Sequence, residues 1–438
     1  MQINLASMLK GTVEGDAAEA ILQRCVHCGF CNATCPTYQL LGNELDGPRG
    51  RIYLIKQMLE GQDVTRKTQV HLDRCLSCRA CETTCPSGVQ YHRLLDIGRA
   101  FIAQRVRRPL ATRMLRGILC AVLPRPRLFS FLLRLGQAAR PFLPRFLATK
   151  VPLGESVESG RMLSQPLAQA QRTMLLLTGC VQPSLAPQTN AAARRVLRHL
   201  GIELMSGDKQ QGCCGAVRYH LDEQQAALQE MRRMIDAWWP LVEDGRVEAI
   251  VITASGCGAQ VRDYAELLRH DALYAEKAAC ISALTRDIAE IVTAEQNTLR
   301  ERLSALSTAR SERERALGAP RSEAQRVAFH SPCTLQHGQA IRNVVEPLLT
   351  LAGYDLTPVT DAHLCCGSAG TYSILQAQLS EQLRDNKLKA LKAGAPTLIA
   401  TANIGCQMHL QAASDIPVRH WIELLDACLS ASPTSLSR

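Results

Sequence analysis

Apolar residues along the chain follow different patterns, and each pattern predicts a different kind of element. In the first hundred residues they recur every three or four positions, as in the segment 52–59 (IYLIKQML), which is the spacing of one face of a helix. Two longer stripes of the same kind follow. From about residue 171 onward, short continuous apolar runs alternate with helical stretches, and such runs are typical of buried strands.

Strands that alternate with helices predict a parallel sheet covered by helices. The pattern occurs twice, because "TMLLLTGCVQP" and "EAIVITASGCGAQ" match the later "RVAFHSPCTLQHG" and "TLIATANIGCQMH". We therefore predict an α/β multidomain protein with a helical N-terminal domain and two related α/β units. The predicted boundaries are residues 1–100 for the helical domain, 101–170 for a bridge, 171–290 for the first unit, 291–325 for a charged helical linker and 326–438 for the second unit.

Cysteine is the unusual component of the composition, with 19 residues in a chain of 438. The first residues, "MQINLASMLKGTVEGD", have neither the basic segment nor the apolar segment of a secretory signal. We therefore expect a cytoplasmic protein whose thiols are reduced and available as metal ligands. No apolar run approaches the roughly 18 residues of a membrane-spanning helix, so we expect the chain not to cross a membrane.

Two cysteine runs share the spacing C-x2-C-x2-C-x3-C-P, at residues 25–36 and 75–86. In two-cluster ferredoxins, three thiolates of such a run bind one [4Fe–4S] cluster and the fourth reaches the other cluster. Structural zinc is the alternative, but it usually takes pairs of ligands from two separated knuckles. The predicted ligands are Cys25, Cys28, Cys31 and Cys85 for the first cluster and Cys75, Cys78, Cys81 and Cys35 for the second.

The bridge accounts for most of the net charge of +10, since residues 97–154 contain twelve Arg or Lys and no Asp or Glu. Basic amphipathic helices suit the surface of an anionic membrane, while docking on a partner subunit and an ordinary packed linker remain alternatives. Nucleic acid is not expected, because the aromatic residues here are Phe rather than Tyr or Trp interleaved with arginine. The stripes contain Met114, Leu115, Ile118, Leu119 and Val122, then Leu128, Phe131, Leu132 and Leu135, with Arg113, Arg116, Arg127 and Arg134 between them.

Each predicted α/β unit has four patterned cysteines: one after the first strand, an adjacent pair before a glycine, and one after a later strand. Ligands in parallel α/β folds gather at the carboxyl ends of strands, and the glycine permits a turn that lets both adjacent thiols face one site. Cysteine is also a small core hydrophobe, which is our interpretation of the isolated Cys120, Cys280 and Cys428. The patterned residues are Cys180, Cys213, Cys214 and Cys257, then Cys333, Cys365, Cys366 and Cys406.

These motifs carry a resemblance to known families. The units with the triplets 213–215 and 365–367 resemble the cysteine-rich (CCG) domain of the heterodisulfide reductase B subunit, and the N-terminal domain is similar to α-helical ferredoxins. A ferredoxin domain before two CCG domains resembles the glycolate oxidase iron–sulfur subunits. The resemblance implies an α-helical ferredoxin domain with two [4Fe–4S] clusters, followed by two CCG units.

The chain departs from the family pattern at the end of each unit. The pattern closes with C-x-x-C, whereas Gln260 and His409 stand at the last position here. Four thiols remain in each unit, so the second could hold a third cluster, with His409 assisting. Gln260 makes the first unit the weaker candidate.

The resemblance implies an oxidoreductase component, the electron-transfer subunit of a multisubunit glycolate (2-hydroxy acid) oxidase. No strand is followed by G-x-G-x-x-G, so we expect FAD and the substrate chemistry on a partner flavoprotein, and no catalytic residue here. Electrons would pass to a quinone-type acceptor, with the protein peripheral on the inner face of the cytoplasmic membrane. Alternatives are the corresponding subunit of a lactate or anaerobic glycerol-3-phosphate dehydrogenase, or a thiol/disulfide reductase of the heterodisulfide type.

Overall fold

The computed structural model describes residues 1–142, 172–207, 211–317 and 324–430. Parts of the predicted bridge and of the predicted linker therefore lie outside the described residues. Within the described part the chain forms a helical N-terminal domain, two bridge helices and two α/β units.

The N-terminal domain packs its helices around the segment Pro48–Leu59. Pro48 stands in the first turn, where its missing N–H has no intrahelical partner to lose. Gly98 lets the last helix approach closely, because a Cβ there would lie 2.8 Å from a side-chain carbon of Ile55. The helices are Val13–Arg24, Phe30–Ala33, Pro36–Leu41, Pro48–Leu59, Arg66–Asp73, Ala80–Thr84 and Tyr91–Arg105, with 3-10 turns at Ser7–Leu9 and Glu44–Asp46.

The described part of the bridge forms the helices Leu110–Val122 and Pro126–Ala139 and a 3-10 turn at Arg140–Phe142. In the first helix Leu119 and Cys120 are buried, and they pack on Leu221 of the first α/β unit. Most of the predicted stripes are instead exposed to solvent, including Phe131 at 64%. The two helices thus have most of their apolar surface uncovered by the residues that the structure describes.

Two bridge arginines differ from the others. Asp222 accepts hydrogen bonds from Arg116 at 2.6 Å and from Arg108 at 2.8 Å, and all three side chains are largely shielded from solvent. Arg116 therefore does not belong to the exposed basic face of the bridge, since its guanidinium ties the bridge to the first α/β unit. Arg113 and Arg127 are exposed.

Each α/β unit contains a four-stranded parallel sheet, and the two sheets have the same strand order. In the first, β1 (Arg172–Leu177) lies between β2 (Ile202–Ser206) and β3 (Ile250–Ile252), and β4 (Thr285–Asp287) follows β3. The second repeats this order with β5 (Arg326–His330), β6 (Asp355–Leu356), β7 (Leu398–Thr401) and β8 (Val418–His420). The predicted α/β repeat is confirmed.

The inner strands β1, β3, β5 and β7 are mainly apolar and buried, as is typical of parallel strands covered on both faces. The helices of the first unit are Gln182–Leu185, Pro187–His199, Ala216–His220, Gln224–Glu243, Ser255–Arg262, Tyr264–Leu267, Ala275–Leu284 and Ile288–Ala294. The linker contributes Gln296–Leu317. The second unit contains Val345–Leu351, Tyr372–Leu375, Ala377–Lys392, Ile404–Gln411 and Trp421–Ser430, with a π-helical turn at Thr334–Gly338.

The two α/β units share one hydrophobic core, in which residues of β1 lie in the same cluster as residues of β5 and Trp421. Polar contacts join the carboxyl ends of the sheets. The amide of Ser255 donates to the carbonyl oxygen of Ala402 at 3.2 Å, and the Nε2 of His420 lies 2.8 Å from the carbonyl oxygen of Thr253. The ends of β3 and β7, where the last patterned cysteines follow, therefore face each other.

Candidate metal centres

The two cysteine runs of the helical domain have the same unusual backbone. In each run the third and fifth residues adopt a positive φ: His27 at 59° and Gly29 at 86°, then Ser77 at 53° and Arg79 at 61°. Such left-handed positions are strained for residues other than glycine and persist where the surroundings require them. They fold each run into a compact loop around its thiols.

The structure brings the thiols together in the crossed sets that the spacing predicts. Cys25, Cys28 and Cys31 line an open cavity together with Cys85 from the other run. A second cavity is lined by the other set. That set consists of Cys75, Cys78, Cys81 and Cys35.

The two cavities share a wall but differ in their distance from solvent. Pro48, Cys81 and Tyr91 line both. The loop around the first cavity is at the surface, where Cys28 is exposed and Phe30 is 62% exposed. The first set is therefore accessible to another molecule, whereas Cys35, Cys75 and Cys81 of the second set are buried.

A buried cation faces the second cavity. The Arg51 side chain is fully buried and lines the cavity; its Nε donates to the carbonyl oxygen of His71 at 2.8 Å and its Nη2 to the Thr37 hydroxyl at 3.2 Å. Its Nη1 is buried and has no partner among the described residues. A guanidinium with a spare donor beside four thiols fits an anionic iron–sulfur group, whose potential is tuned by nearby charge and hydrogen bonds.

A second buried arginine holds the loop of the second run. Arg99 Nη2 donates to the carbonyl oxygens of Cys75 at 2.8 Å and Leu72 at 2.9 Å. Sequence reasoning missed both arginines, although Arg51 lies four residues before Ile55 on the apolar face of its helix. A charge at a core position of a helical stripe was the available signal.

The four patterned cysteines of the second α/β unit form one buried set. The Sγ atoms of Cys333 and Cys365 are 3.8 Å apart. Cys366 contacts Cys365 on one side and Cys406 on the other. Contact with Cys365, together with burial, raises the pKa of Cys333 well above its ordinary value. Thiolates at this site therefore need a compensating positive charge, such as iron supplies.

The glycine after the cysteine pair has the role that the sequence predicts. Gly367 has a φ of 88°, and a Cβ there would lie 2.6 Å from the carbonyl oxygen of Ser380. Only glycine can adopt this turn at position 367. The turn places the thiols of Cys365 and Cys366 on one site. Two donors face the sulfurs: the amide of Gly367 lies 3.4 Å from the Cys365 Sγ, and the Nδ2 of Asn403 lies 3.6 Å from the Cys406 Sγ.

His409 does not join this set. Its Nε2 lies 3.1 Å from the Ser380 hydroxyl and 3.3 Å from the Ser380 carbonyl oxygen. The histidine that the structure brings to the thiols is His330, which forms a compact group with Cys366 and Cys406. Sequence reasoning did not single out His330, which reads as the last residue of a strand.

The first α/β unit also gathers its four patterned cysteines. Cys213 contacts Cys180, and Cys214 contacts both Cys213 and Cys257. They lie in an apolar cluster with Leu177, and within the described residues no histidine joins them. Cys257 lies on the helix Ser255–Arg262 rather than at a strand end, because β3 already ends at Ile252.

The second ferredoxin set and the set of the second unit are neighbours. Cys78 packs against the cluster that contains Cys333 and Cys365. Burial, followed by the charges of Cys333 and Cys35, raises the pKa of Cys78 well above its ordinary value. The Tyr372 hydroxyl donates to the carbonyl oxygen of Arg74 at 3.2 Å and fastens the two domains beside this contact.

A helical domain with two four-thiol cavities, docked on α/β units with further thiol sets, defines an iron–sulfur electron-transfer protein. Comparison with family models agrees. Residues 21–89 match the 4Fe-4S dicluster domain, and residues 174–262 and 327–411 match the cysteine-rich domain named CCG. The predicted fold class is confirmed.

The chain is 51% identical, over 98% of its length and 99% of the relative's, to the glycolate oxidase iron–sulfur subunit of Escherichia coli (strain K12). It is also 29% identical, over 90% of its length and 89% of the relative's, to the probable glycolate oxidase iron–sulfur subunit of Bacillus subtilis (strain 168). Lactate utilization protein A of Bacillus licheniformis is 24% identical over 58% of this chain and 98% of its own length. The chain belongs to the family of glycolate oxidase iron–sulfur subunits.

In the part of the chain that the structure describes, no helix has both the length and the apolar composition needed to cross a bilayer.

Proposed function

We propose that this chain is the electron-transfer subunit of a glycolate dehydrogenase complex in which a partner flavoprotein oxidises the 2-hydroxy acid. The observation that carries the proposal is the row of three adjoining thiol sets, from the exposed first cavity to the buried set of the second α/β unit. Iron–sulfur clusters, when bound, pass single electrons. A flavin accepts the two electrons of substrate oxidation together and passes them on one at a time. The choice of glycolate is supported by the relative at 51% identity.

The exposed end of this row is the place where we expect the flavoprotein to dock. Val26 and Phe30 project from the first loop, and Tyr53 lies nearby, all of them exposed. Exposed apolar side chains grouped around a functional site are typical of an interaction surface. Electrons would enter beside Cys28 and leave from the second α/β unit toward a quinone-type acceptor.

A thiol/disulfide reductase is less well supported. Such chemistry needs an accessible thiolate that can attack a disulfide. Cys333, Cys365 and Cys366 are all buried, so a disulfide substrate would not reach them.

We expect glycolate to reduce the iron–sulfur clusters only when the flavoprotein is present. The measurement is anaerobic EPR of the purified complex and of the isolated chain after glycolate addition, with lactate and glycerol 3-phosphate as comparison substrates. Reduction of the isolated chain by glycolate would contradict the division of labour between subunits. Faster reduction of the complex by lactate or glycerol 3-phosphate would contradict the choice of substrate.

We further propose that the bridge helices bind the anionic inner surface of the cytoplasmic membrane. Met114, Ile118 and Phe131 are among their exposed apolar residues. Arg113 and Arg127 are exposed on the same helices, without acidic neighbours in sequence. An apolar face can sink into the headgroup boundary while arginines meet lipid phosphates. Docking of a partner subunit on this face is the competing interpretation.

Replacing Arg113, Arg127 and Arg134 with Gln should weaken binding to liposomes that contain anionic lipid. Each basic residue near such a surface contributes about 1 kcal/mol, so the triple variant should lose on the order of 100-fold in partitioning. Raised salt should weaken wild-type binding in the same way, because exposed charges are screened. Liposome flotation at low and high salt measures both effects.

A matched control removes three exposed charges elsewhere by replacing Lys67, Arg300 and Lys389 with Gln. This variant should bind like the wild type. Binding that is unchanged by salt and by both triple substitutions would favour docking on a partner subunit.

A further inference from the structure

His330 is the last residue of β5, and its side chain is only 2% exposed. Neither of its ring nitrogens has a hydrogen-bond partner among the described residues. Burying an imidazole without partners is costly, and buried polar groups in native proteins are usually paired. The ring is therefore available to a partner other than the described protein atoms.

The surroundings of the ring indicate which partner it is. A ring nitrogen of His330 and the sulfurs of Cys366 and Cys406 all lie within 4.8 Å of one another. Imidazole nitrogen and thiolate sulfur are both ligands of iron in iron–sulfur proteins. The sheet produces this juxtaposition, since β5 and β7 are adjacent and His330 pairs with Thr401, after which the chain continues to Cys406.

The first α/β unit provides an internal comparison. His330 precedes Cys333 by three residues, and the residue three before Cys180 is Leu177. Leu177 is also buried at the end of its strand, but in an apolar cluster. The two repeats thus have the same four thiols, while an imidazole stands at this position only in the second.

A buried amine is a second difference between the repeats, because Lys387 follows Cys366 by 21 residues and the residue 21 after Cys214 is Ile235. Lys387 is 3% exposed, and its Nζ donates to the carbonyl oxygen of Asp361 at 2.7 Å. Burial lowers the pKa of Lys387, while the nearby Cys365 and Cys366 act in the opposite direction. A cation here offsets negative charge that thiolates and an iron–sulfur group bring into a buried site.

We propose that His330 is a fifth protein ligand of the iron–sulfur centre held by Cys333, Cys365, Cys366 and Cys406. The proposal rests on the third centre included in the proposed function. The nitrogen takes the role of the last cysteine of C-x-x-C, whose position is occupied here by His409, and His409 contacts Ser380 instead. A neutral ligand in place of a thiolate lowers the negative charge of the centre, which makes it easier to reduce.

The test uses the full chain with its clusters, prepared anaerobically as wild type, His330→Cys, His330→Leu and His409→Leu. Pulsed EPR of the reduced third centre should show a nitrogen coupling in the wild type and in His409→Leu. His330→Cys should keep the centre, lose the coupling and shift the midpoint potential to a more negative value, because a thiolate adds negative charge. His330→Leu, which copies Leu177, should lose the coupling, with or without loss of about four irons.

The outcomes separate this inference from the third centre itself. A wild type with about twelve irons but no nitrogen coupling would overturn the role of His330 and leave the third centre standing. So would a coupling that persists in His330→Cys. A wild type with about eight irons would remove the third centre, and the proposed ligand with it. Iron content and potential are measured on the isolated chain, so none of these results depends on activity of the complex.

Discussion

Replacing Cys85 with serine should remove the cluster held by the loop of Cys25, Cys28 and Cys31, although Cys85 lies in the other run. The reason is geometric, since these three thiols and Cys85 line one cavity. Serine is a poor ligand for iron compared with a thiolate. Disturbing even an outer partner of a metal typically costs 10–100-fold, and removing a ligand should cost more than about 100-fold in glycolate-dependent electron transfer.

The reciprocal variant makes the result specific. Cys35→Ser should damage the cluster of Cys75, Cys78 and Cys81, because Cys35 lines their cavity. EPR and Mössbauer spectra of the reduced variants should therefore show a crossed pattern, with each serine lowering iron by about four per chain. Cys280→Ser is the control, since Cys280 belongs to none of the thiol sets. A serine that damages only the cluster of its own run would refute the assignment.

Replacing Cys366 with serine should remove a third centre and leave both ferredoxin signals intact. Cys366 lies in the middle of its set, in contact with Cys365 and Cys406. Iron should fall from about twelve to about eight per chain. Glycolate should still reduce the first two clusters in the complex, while transfer to a quinone analogue should stop.

The equivalent variant in the first unit is Cys214→Ser. It makes the same chemical change at an equally buried thiol, so any general cost of a buried hydroxyl, about 1–3 kcal/mol, applies to both. Because the first unit lacks the imidazole and the amine, we expect Cys214→Ser to leave the iron content of the chain unchanged. A wild-type content of about sixteen irons per chain, with a loss of iron in both variants, would mean that the first unit also holds a cluster. A wild-type content of about eight irons per chain, with Cys366 free to alkylation, would contradict the third centre.

The local features were readable from the sequence because they depend on neighbours along the chain. Each ferredoxin loop gathers three thiols within seven residues, so C-x2-C-x2-C predicts it directly. The inner strands were visible as apolar runs, because parallel strands covered on both faces are mainly apolar. The repeat of these runs predicted two sheets, which have the same strand order.

The details that distinguish the sites were decided by tertiary structure. His409 is three residues from Cys406, yet the rotation of its helix directs the imidazole to Ser380. His330 is far away in the chain and reaches the same thiols because β5 lies beside β7. Sequence spacing measures distance only along one element, whereas the sheet sets which strand ends meet.

The same reason applies to charge and to the order of the sites. Twelve basic residues in the bridge region predict a basic surface, but only the fold turns Arg116 toward Asp222 and leaves Arg113 exposed. The docking of Cys78 beside Cys333 joins two domains that the sequence treats as separate. The sequence by itself determined which residues could hold iron and sulfur. Tertiary packing decided which of them share a site, because burial brings together groups that are remote along the chain.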